Sequence, residues 1–349
     1  MTTNKPMTKN VLGFVLIDAP HSALNMGQAD PAAADENEIP AKVMRRGRDV
    51  IPYVSAQAWR YWWRNTLETK CGWQMSPIER QAKIAFTSAD PFTYPDDDVF
   101  GYMRALKNTE GGTLTRLSPL KTSPLISVLP QILTNDFGVM SRHEGDPVPH
   151  AHQFYSTVLK GIFSLDLSSV GVFRSTARTG YKNLDQKYTD KKEMKEAIAK
   201  AEAEQQNGNW VMPKGVRVQR ATDTITALPF LSGGAKSALH LTDVTPKLIV
   251  LAVIEGGNHL FMNIAAEKAG EPLINMKALK QVITEYNDSL LSEVFIGRQE
   301  GFQDDLRGDL ETLREEVKET KTIHLLSPKQ AVEQFTKNLG NFIDERKDA

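Results

Sequence analysis

Apolar residues along this chain gather in two unbroken runs and several spaced stripes. Val11-Leu-Gly-Phe-Val-Leu-Ile17 is continuous and ends at Asp18, which predicts a first β-strand; seven residues ending without a clean small-x-small site do not make a signal peptide, although Lys5 and Lys9 precede them. Lys247-Leu-Ile-Val-Leu-Ala-Val-Ile254 is the second run and predicts a strand buried on both faces. Between them, Ser55 can N-cap a helix reaching to about Thr69. At 100° per residue, Trp59, Trp62, Trp63 and Thr66 fall on one side of it, and Gln57, Arg60, Tyr61, Arg64 and Glu68 on the other.

The remaining pattern predicts strands over Val99–Arg104 and within Thr157–Phe173. Extended, proline-interrupted chain is predicted from Thr113 to Val128, with Pro119, Pro124 and Pro130 pointing to an edge or a projecting hairpin. Lys191 to Gln206 reads as a surface helix with almost no apolar face, and Gly256-Gly257-Asn258 as a turn into a hairpin strand His259–Met262. Helices are predicted near Asn275–Leu290 and Phe302–Lys318. Ser327-Pro328 opens a last one with Val332, Phe335, Leu339 and Phe342 inward. Strands and helices mixed without βαβ regularity predict an α+β fold. The expected organisation is one elaborated domain over 1–349, with inserted loops at 19–50 and 105–157, a helical insertion at 180–226 and a helical C-terminal part at 265–349.

Composition narrows the classes. The 349 residues carry 42 Lys plus Arg against 43 Asp plus Glu, a formal charge of −1, and 40% are hydrophobic. A polycationic tail and a disordered chain are therefore excluded. A neutral total still permits a local basic stripe. The single cysteine, Cys71, leaves no internal disulfide or cysteine-rich zinc site and fits a cytoplasmic location. No run approaches the ~18 apolar residues of a membrane span.

The strongest candidate for chemistry is basic. Lys42, Arg45, Arg46 and Arg48 stand together without an anion, and the helix face beyond adds Arg60 and Arg64. With Ser55, Gln57 and the free N–H groups of the helix start, they would make a phosphate-binding stripe. The alternative is that Arg64 pairs with Glu68 and the loop cations only face water. Gly233-Gly234-Ala-Lys236 is a second phosphate candidate without the full P-loop pattern, so NTP hydrolysis is not expected. His143, His150 and His152 lie near Glu144 and Asp146; His150 and His152 would share one face of an extended chain, but no third metal ligand is defined, and a polar loop explains them as well. Acidic residues gather at Asp30–Glu38, Asp96–Asp98 and in the C-terminal helices, which predicts charge segregated by position.

Four segments in this order, Ser22-Ala-Leu-Asn25, Pro52-Tyr-Val-Ser-Ala-Gln-Ala-Trp-Arg60, Thr115-Arg-Leu-Ser-Pro-Leu-Lys-Thr-Ser-Pro124 and Leu228 through Lys247, resemble the backbone subunit of type I-B CRISPR Cascade complexes, the DevR autoregulator family of the RAMP superfamily. The resemblance implies a ferredoxin-like (RRM-type) palm with insertions forming fingers and a thumb hairpin. It also implies a non-catalytic protein without cofactor or metal, polymerising along guide RNA (crRNA) and presenting it for pairing with target DNA in antiviral defence. Its implied partners are the crRNA, copies of itself and the large, small and 5′-handle-capping subunits, with no membrane. Ser55, Gln57, Arg60, Arg64, Gly233, Gly234 and Lys236 fall where family members contact the guide. Lys121 or the region around Met140 would belong to the thumb. Two alternatives stand beside this reading: metal-dependent RNA cleavage like that of type III backbone subunits, through Asp30 or Asp35, and a DNA-binding transcriptional autoregulator.

Overall fold

The computed structural model describes residues 8–28, 38–81, 84–107, 112–142, 144–176, 178, 181–268 and 270–345. Lys5, Asp30, Asp35, Glu36 and His143 lie outside the described residues. The described chain is a mixed α+β fold on an eleven-stranded sheet. Its principal strands are β1 (Lys9–Ser22), β2 (Val43–Arg46), β3 (Asp49–Val54), β4 (Leu125–Ser127), β5 (Thr134–Met140), β6 (Val148–Asp166), β7 (Leu248–Glu255), β8 (Val294–Arg298) and β9 (Ile323–Leu326). The short strands Glu38–Ile39 and Leu120–Thr122 also pair with β6. Across the sheet the order is β9-β8-β7-β1-β6-β4-β3-β2, with β5 beside the N-terminal part of β6. The central ladders β7-β1, β1-β6 and β6-β4 are antiparallel.

The helices that matter here are α1 (Ala56–Cys71), α2 (Pro95–Phe100), α3 (Lys192–Lys200), α4 (Lys214–Thr226), α5 (Met276–Glu285), α6 (Leu306–Val317) and α7 (Pro328–Lys337). Period-two alternation in β1 divides the core. Val11, Val15, Ile17 and Ala19 face a cluster that includes Trp59, Trp62 and Trp63 of α1, Ala221 and Ile225 of α4, and Val332 and Phe335 of α7. Leu12, Phe14 and Leu16 face the opposite cluster with Leu279 and Ile283 of α5 and Leu306, Leu310, Leu313 and Val317 of α6. Both faces of the sheet are therefore covered, which explains the unbroken apolar runs of β1 and β7. On the first face the Phe163 ring meets Trp63 edge-on at 5.0 Å, and a Cβ on Gly13 would fall 2.0 Å from that ring. Only glycine fits there.

A side lobe has its own core of Phe92, Tyr102, Leu114, Phe173, Tyr188, Met194 and Ile198. Its junction with the main sheet is a buried charge knot. The fully buried Asp98 carboxylate binds Arg116, Arg220 at 2.8 Å and the Gly171 N–H at 2.9 Å.

Several expectations need correction. Asp96–Asp98 are not a surface acidic run: they form part of α2 and are all buried, against Arg64, Arg116 and Arg220. The predicted strand Val99–Arg104 is split between the end of α2 and a short strand, Tyr102–Arg104. The helix predicted to lack an apolar face buries Met194 and Ile198, four apart, and ends at Lys200. His259–Met262 is no hairpin strand, because Leu260–Asn263 form a 3₁₀ turn that buries Phe261; a hairpin follows at Ala265–Lys268 and Glu271–Ile274.

Candidate nucleic-acid interface

The conformation of α1's first turn follows from its cap. Ser55 has extended backbone, and its hydroxyl accepts from the Ala58 N–H at 3.3 Å. Its own N–H donates to Oδ1 of Asn25 at 2.9 Å. Asn25 sits just past β1, and its neighbourhood joins three segments distant in sequence. The Asn25 carbonyl accepts from the Lys42 N–H at 2.9 Å, and the Leu24 carbonyl accepts from the Ala235 N–H at 2.9 Å. The helix start, the strand leading into the basic hairpin and the glycine loop thus meet at one end of β1. The motif Ser22-Ala-Leu-Asn25 does not by itself mark Asn25 as the junction; a side-chain amide directly after a strand, ahead of a long connection, is the available signal.

The glycines have steric reasons. A Cβ on Gly233 would stand 2.2 Å from the Trp62 indole, and Gly234 has φ +113 with Leu24 2.8 Å from the corresponding position. Lys236 follows in the left-handed region, φ +52, and precedes the short helical turn Ser237–His240. The loop lies flat against α1 and the end of β1.

The basic hairpin is the edge of the sheet. β2 and β3 turn through Gly47-Arg48, with Gly47 at φ +62, and Arg45, Arg46 and Arg48 are exposed. Arg46 lies 3.3 Å from Asp49; Lys42 is 5.8 Å from the Tyr53 ring centre. Gln57 and Tyr61 are the exposed residues of the first α1 turns.

Arg60 and Arg64 point elsewhere. Arg60 donates to the Leu120 and Phe100 carbonyls and to Ser118 Oγ, and its guanidinium lies 5.0 Å from the Phe100 ring centre. Burial, with Arg64 beside it, pushes its pKa down to about 10. Arg64 also lies over the Phe100 ring, 4.5 Å from its centre, and pairs with Asp96 at 3.6 Å, not with Glu68. The structure thus gathers Lys42, Ser55, Gln57, Gly233, Gly234 and Lys236, places Arg45, Arg46 and Arg48 on the adjoining edge, and ties Arg60 and Arg64 into the side-lobe junction.

A projecting hairpin stands at the same end. β5 and the first part of β6 pair from Thr134–Phe154 to Met140–Val148, and Phe137, Val139, Met140 and Val148 are exposed along it. Its root touches the glycine-loop turn: His152 Nε2 and His240 Nε2 are 2.7 Å apart, and His240 Nδ1 lies 2.7 Å from the His21 carbonyl. His152 is buried, with Asp136 at 3.6 Å; burial and the neighbouring His240, Lys236 and His150 hold its pKa below the usual histidine value, against Asp136.

The family model for the "CRISPR-associated negative auto-regulator DevR/Csa2" matches residues 22–268. The chain belongs to that family. The match spans the Asn25 junction, the basic hairpin, the projecting hairpin and the glycine loop. No curated protein matches this DevR/Csa2-family chain. Its fold is shared by solved structures, among them the following two. One, a chain of a "CRISPR RNA-guided surveillance complex", is 12% identical with TM-score 0.51, covering 94% of this chain and 98% of that one. The other, from a "CRISPR RNA-guided surveillance complex, pre-nicking", is 11% identical with TM-score 0.54, covering 95% and 100%. Among the described residues of this family member, no helix is long and apolar enough to cross a membrane.

Proposed function

We propose that this chain is a non-catalytic, guide-RNA-binding backbone subunit of a CRISPR surveillance complex, polymerising along the RNA in the cytoplasm and leaving its bases to pair with target DNA. The observation that carries the reading is the convergence at Asn25 of a helix start, a flat glycine loop with Lys236 and an exposed arginine hairpin. Backbone N–H groups and cations together suit a phosphate chain. The family and the shared fold support it.

The strand order β7-β1-β6-β4, with α1 and α4 on one face, reads as a ferredoxin-like palm. Helices α5 and α6 occupy the opposite face, where RNA-recognition domains usually stack bases. RNA is then held at the end and edge of the sheet. The projecting hairpin reads as the thumb and the side lobe as fingers. Copies of this chain and the large, small and 5′-handle-capping subunits are the proposed partners.

Anisotropy titration of guide RNA at several salt concentrations tests the assignment. Arg45→Ala with Arg48→Ala and Lys236→Ala is expected to lose at least tenfold in affinity. Its salt slope should drop by about 2, at roughly 0.7 per phosphate contact on single strands. Unchanged affinity and slope would sink the assignment. Absence of catalysis is checked by incubating the protein with complementary RNA and a divalent metal, where regularly spaced cuts would overturn it.

A further inference from the structure

At the far end of β6 from the Asn25 junction lies a second concentration of positive charge. Tyr155, near the junction, and Asp166 are eleven residues apart on that strand. At ~3.3 Å per residue the two ends stand about 36 Å apart. There, between the end of the sheet and the side lobe, the structure contains a cavity of ≈ 1020 Å³, at the upper end of the range for small-ligand sites.

Its lining charges divide into two classes. Arg116 is committed to the buried Asp98, and Arg217 donates to the Val170 and Asp344 carbonyls at 2.9 and 3.1 Å. The acids are likewise engaged: Asp166 accepts from the Ser168 N–H at 3.0 Å and the Ser169 hydroxyl at 2.6 Å, Asp344 pairs with Lys9, and Glu345 lies 3.6 Å from Lys214. Lys121, Arg174 and Arg178 have no carboxylate partner among the described residues. Two of them are held in place from behind, since the Arg174 and Arg178 guanidiniums sit 5.7 and 5.0 Å from the Tyr181 ring centre. A cation stacked on an aromatic ring keeps its edge N–H groups free for an anion while the ring limits its motion.

We propose that this cavity binds phosphate groups of a nucleic-acid strand other than the one at the Asn25 junction, with Lys121, Arg174 and Arg178 as the contacting cations. Three positive charges on a concave, polar wall favour a ligand with several negative charges. Phosphodiester oxygens accept the bidentate and point-charge contacts that two arginines and a lysine provide. A free oligophosphate carries the same chemistry.

The test uses the full-length protein saturated with guide RNA, probed with a short labelled single-stranded DNA unrelated to the guide, and separately with inorganic tripolyphosphate. Lys121→Glu with Arg178→Glu, both exposed positions, and Arg174→Ala are each compared with Arg45→Ala plus Arg48→Ala. The cavity variants are expected to lose tenfold or more in affinity for the DNA, with guide-RNA affinity and melting temperature unchanged, while the hairpin variant keeps DNA binding. Tripolyphosphate binding lost in the same variants without any DNA binding supports the site and assigns it to a free oligophosphate. Unchanged affinity for both probes in the cavity variants overturns the proposal. Repeating the titration on protein stripped of nucleic acid separates this outcome from failure of the guide-RNA reading, because the cavity is read there without occupation of the junction.

Discussion

Asp98 shows how much of this fold hangs on single side chains. Its carboxylate neutralises two buried guanidiniums, so Asp98→Ala would strand Arg116 and Arg220 without a counter-charge. A loss of about 3–5 kcal/mol in urea unfolding is expected. Its neighbour Asp97 acts in the opposite sense. Burial, then the nearby Asp96, raises its pKa to about 6 against the hydrogen bonds it accepts. The native state therefore binds its proton more tightly than the unfolded chain, and its contribution to stability improves as pH falls through about 6 toward 4. Asp97→Asn should stabilise the protein above pH 6, by about 2–3 kcal/mol at most, and flatten its pH dependence in that window. A melting temperature at pH 7.5 no higher than wild type, as roughly 7.5 lies well above that window, would refute this. These roles were illegible in the sequence. Asp98 and Arg220 are 122 positions apart, and an acidic triplet followed by apolar residues looks like solvated surface until the fold brings its partners over it.

At the scale of elements, local grammar reads well wherever one element decides its own shape. The tryptophan face of α1, the Ser327-Pro328 start of α7 with its capping box to Gln330, and the strand β7 follow directly from periodicity and capping. The candidate site was legible in pieces. Gly233, Gly234, Lys236 and Ser55 were identified from residue type, but their meeting at Asn25 depends on backbone hydrogen bonds across about 200 residues of chain. Arg60 and Arg64 were read from helix phase alone, and phase does not reveal that Phe100 and Leu120 pack over that face. The glycine loop allows a sharp check. Gly233→Ala drives a methyl into Trp62, and is expected to cost about 1–3 kcal/mol and weaken guide-RNA binding, measured on the same preparation. The histidine contact between the projecting hairpin and the Ser237–His240 turn has its own signature. With the His152 pKa held below its unfolded value, the contact contributes fully above pH 6.5 and weakens as pH falls below it. Amide protection factors at Ala151–Phe154, measured against the intrinsic exchange rate at each pH, should fall below that pH, and His152→Phe should abolish the fall.

The whole molecule departs most from what its sequence suggested in the last third of the chain. Residues 265–349 contain helices, but they also add β8 and β9 to the sheet and cover one face of β1, β7 and β8 with α5 and α6. Truncation after Lys268 is therefore expected to expose Leu12, Phe14, Leu16 and Val250 together and to give an aggregating product, checked by size-exclusion chromatography. The charge balance also takes a different form. Part of the acidic complement is internal counter-charge for buried arginines, while exposed cations cluster at the β2–β3 edge and line the far cavity.

One strand connects these two regions. β6 is laddered to β1 from Tyr155 to Asp166, with a register shift opposite Ala19–Ser22, while before Tyr155 its long partner is β5 alone, with Glu38–Ile39 alongside. Mechanically it is a beam clamped over half its length with a free cantilever beyond, and Tyr155 marks the point of support. Paired insertions that lengthen the cantilever on both of its strands leave the clamped half undisturbed. With the support at Tyr155 kept in register, a single residue removed between Tyr155 and Leu159 would turn Leu159, Phe163 and Leu165 out of the core in one step.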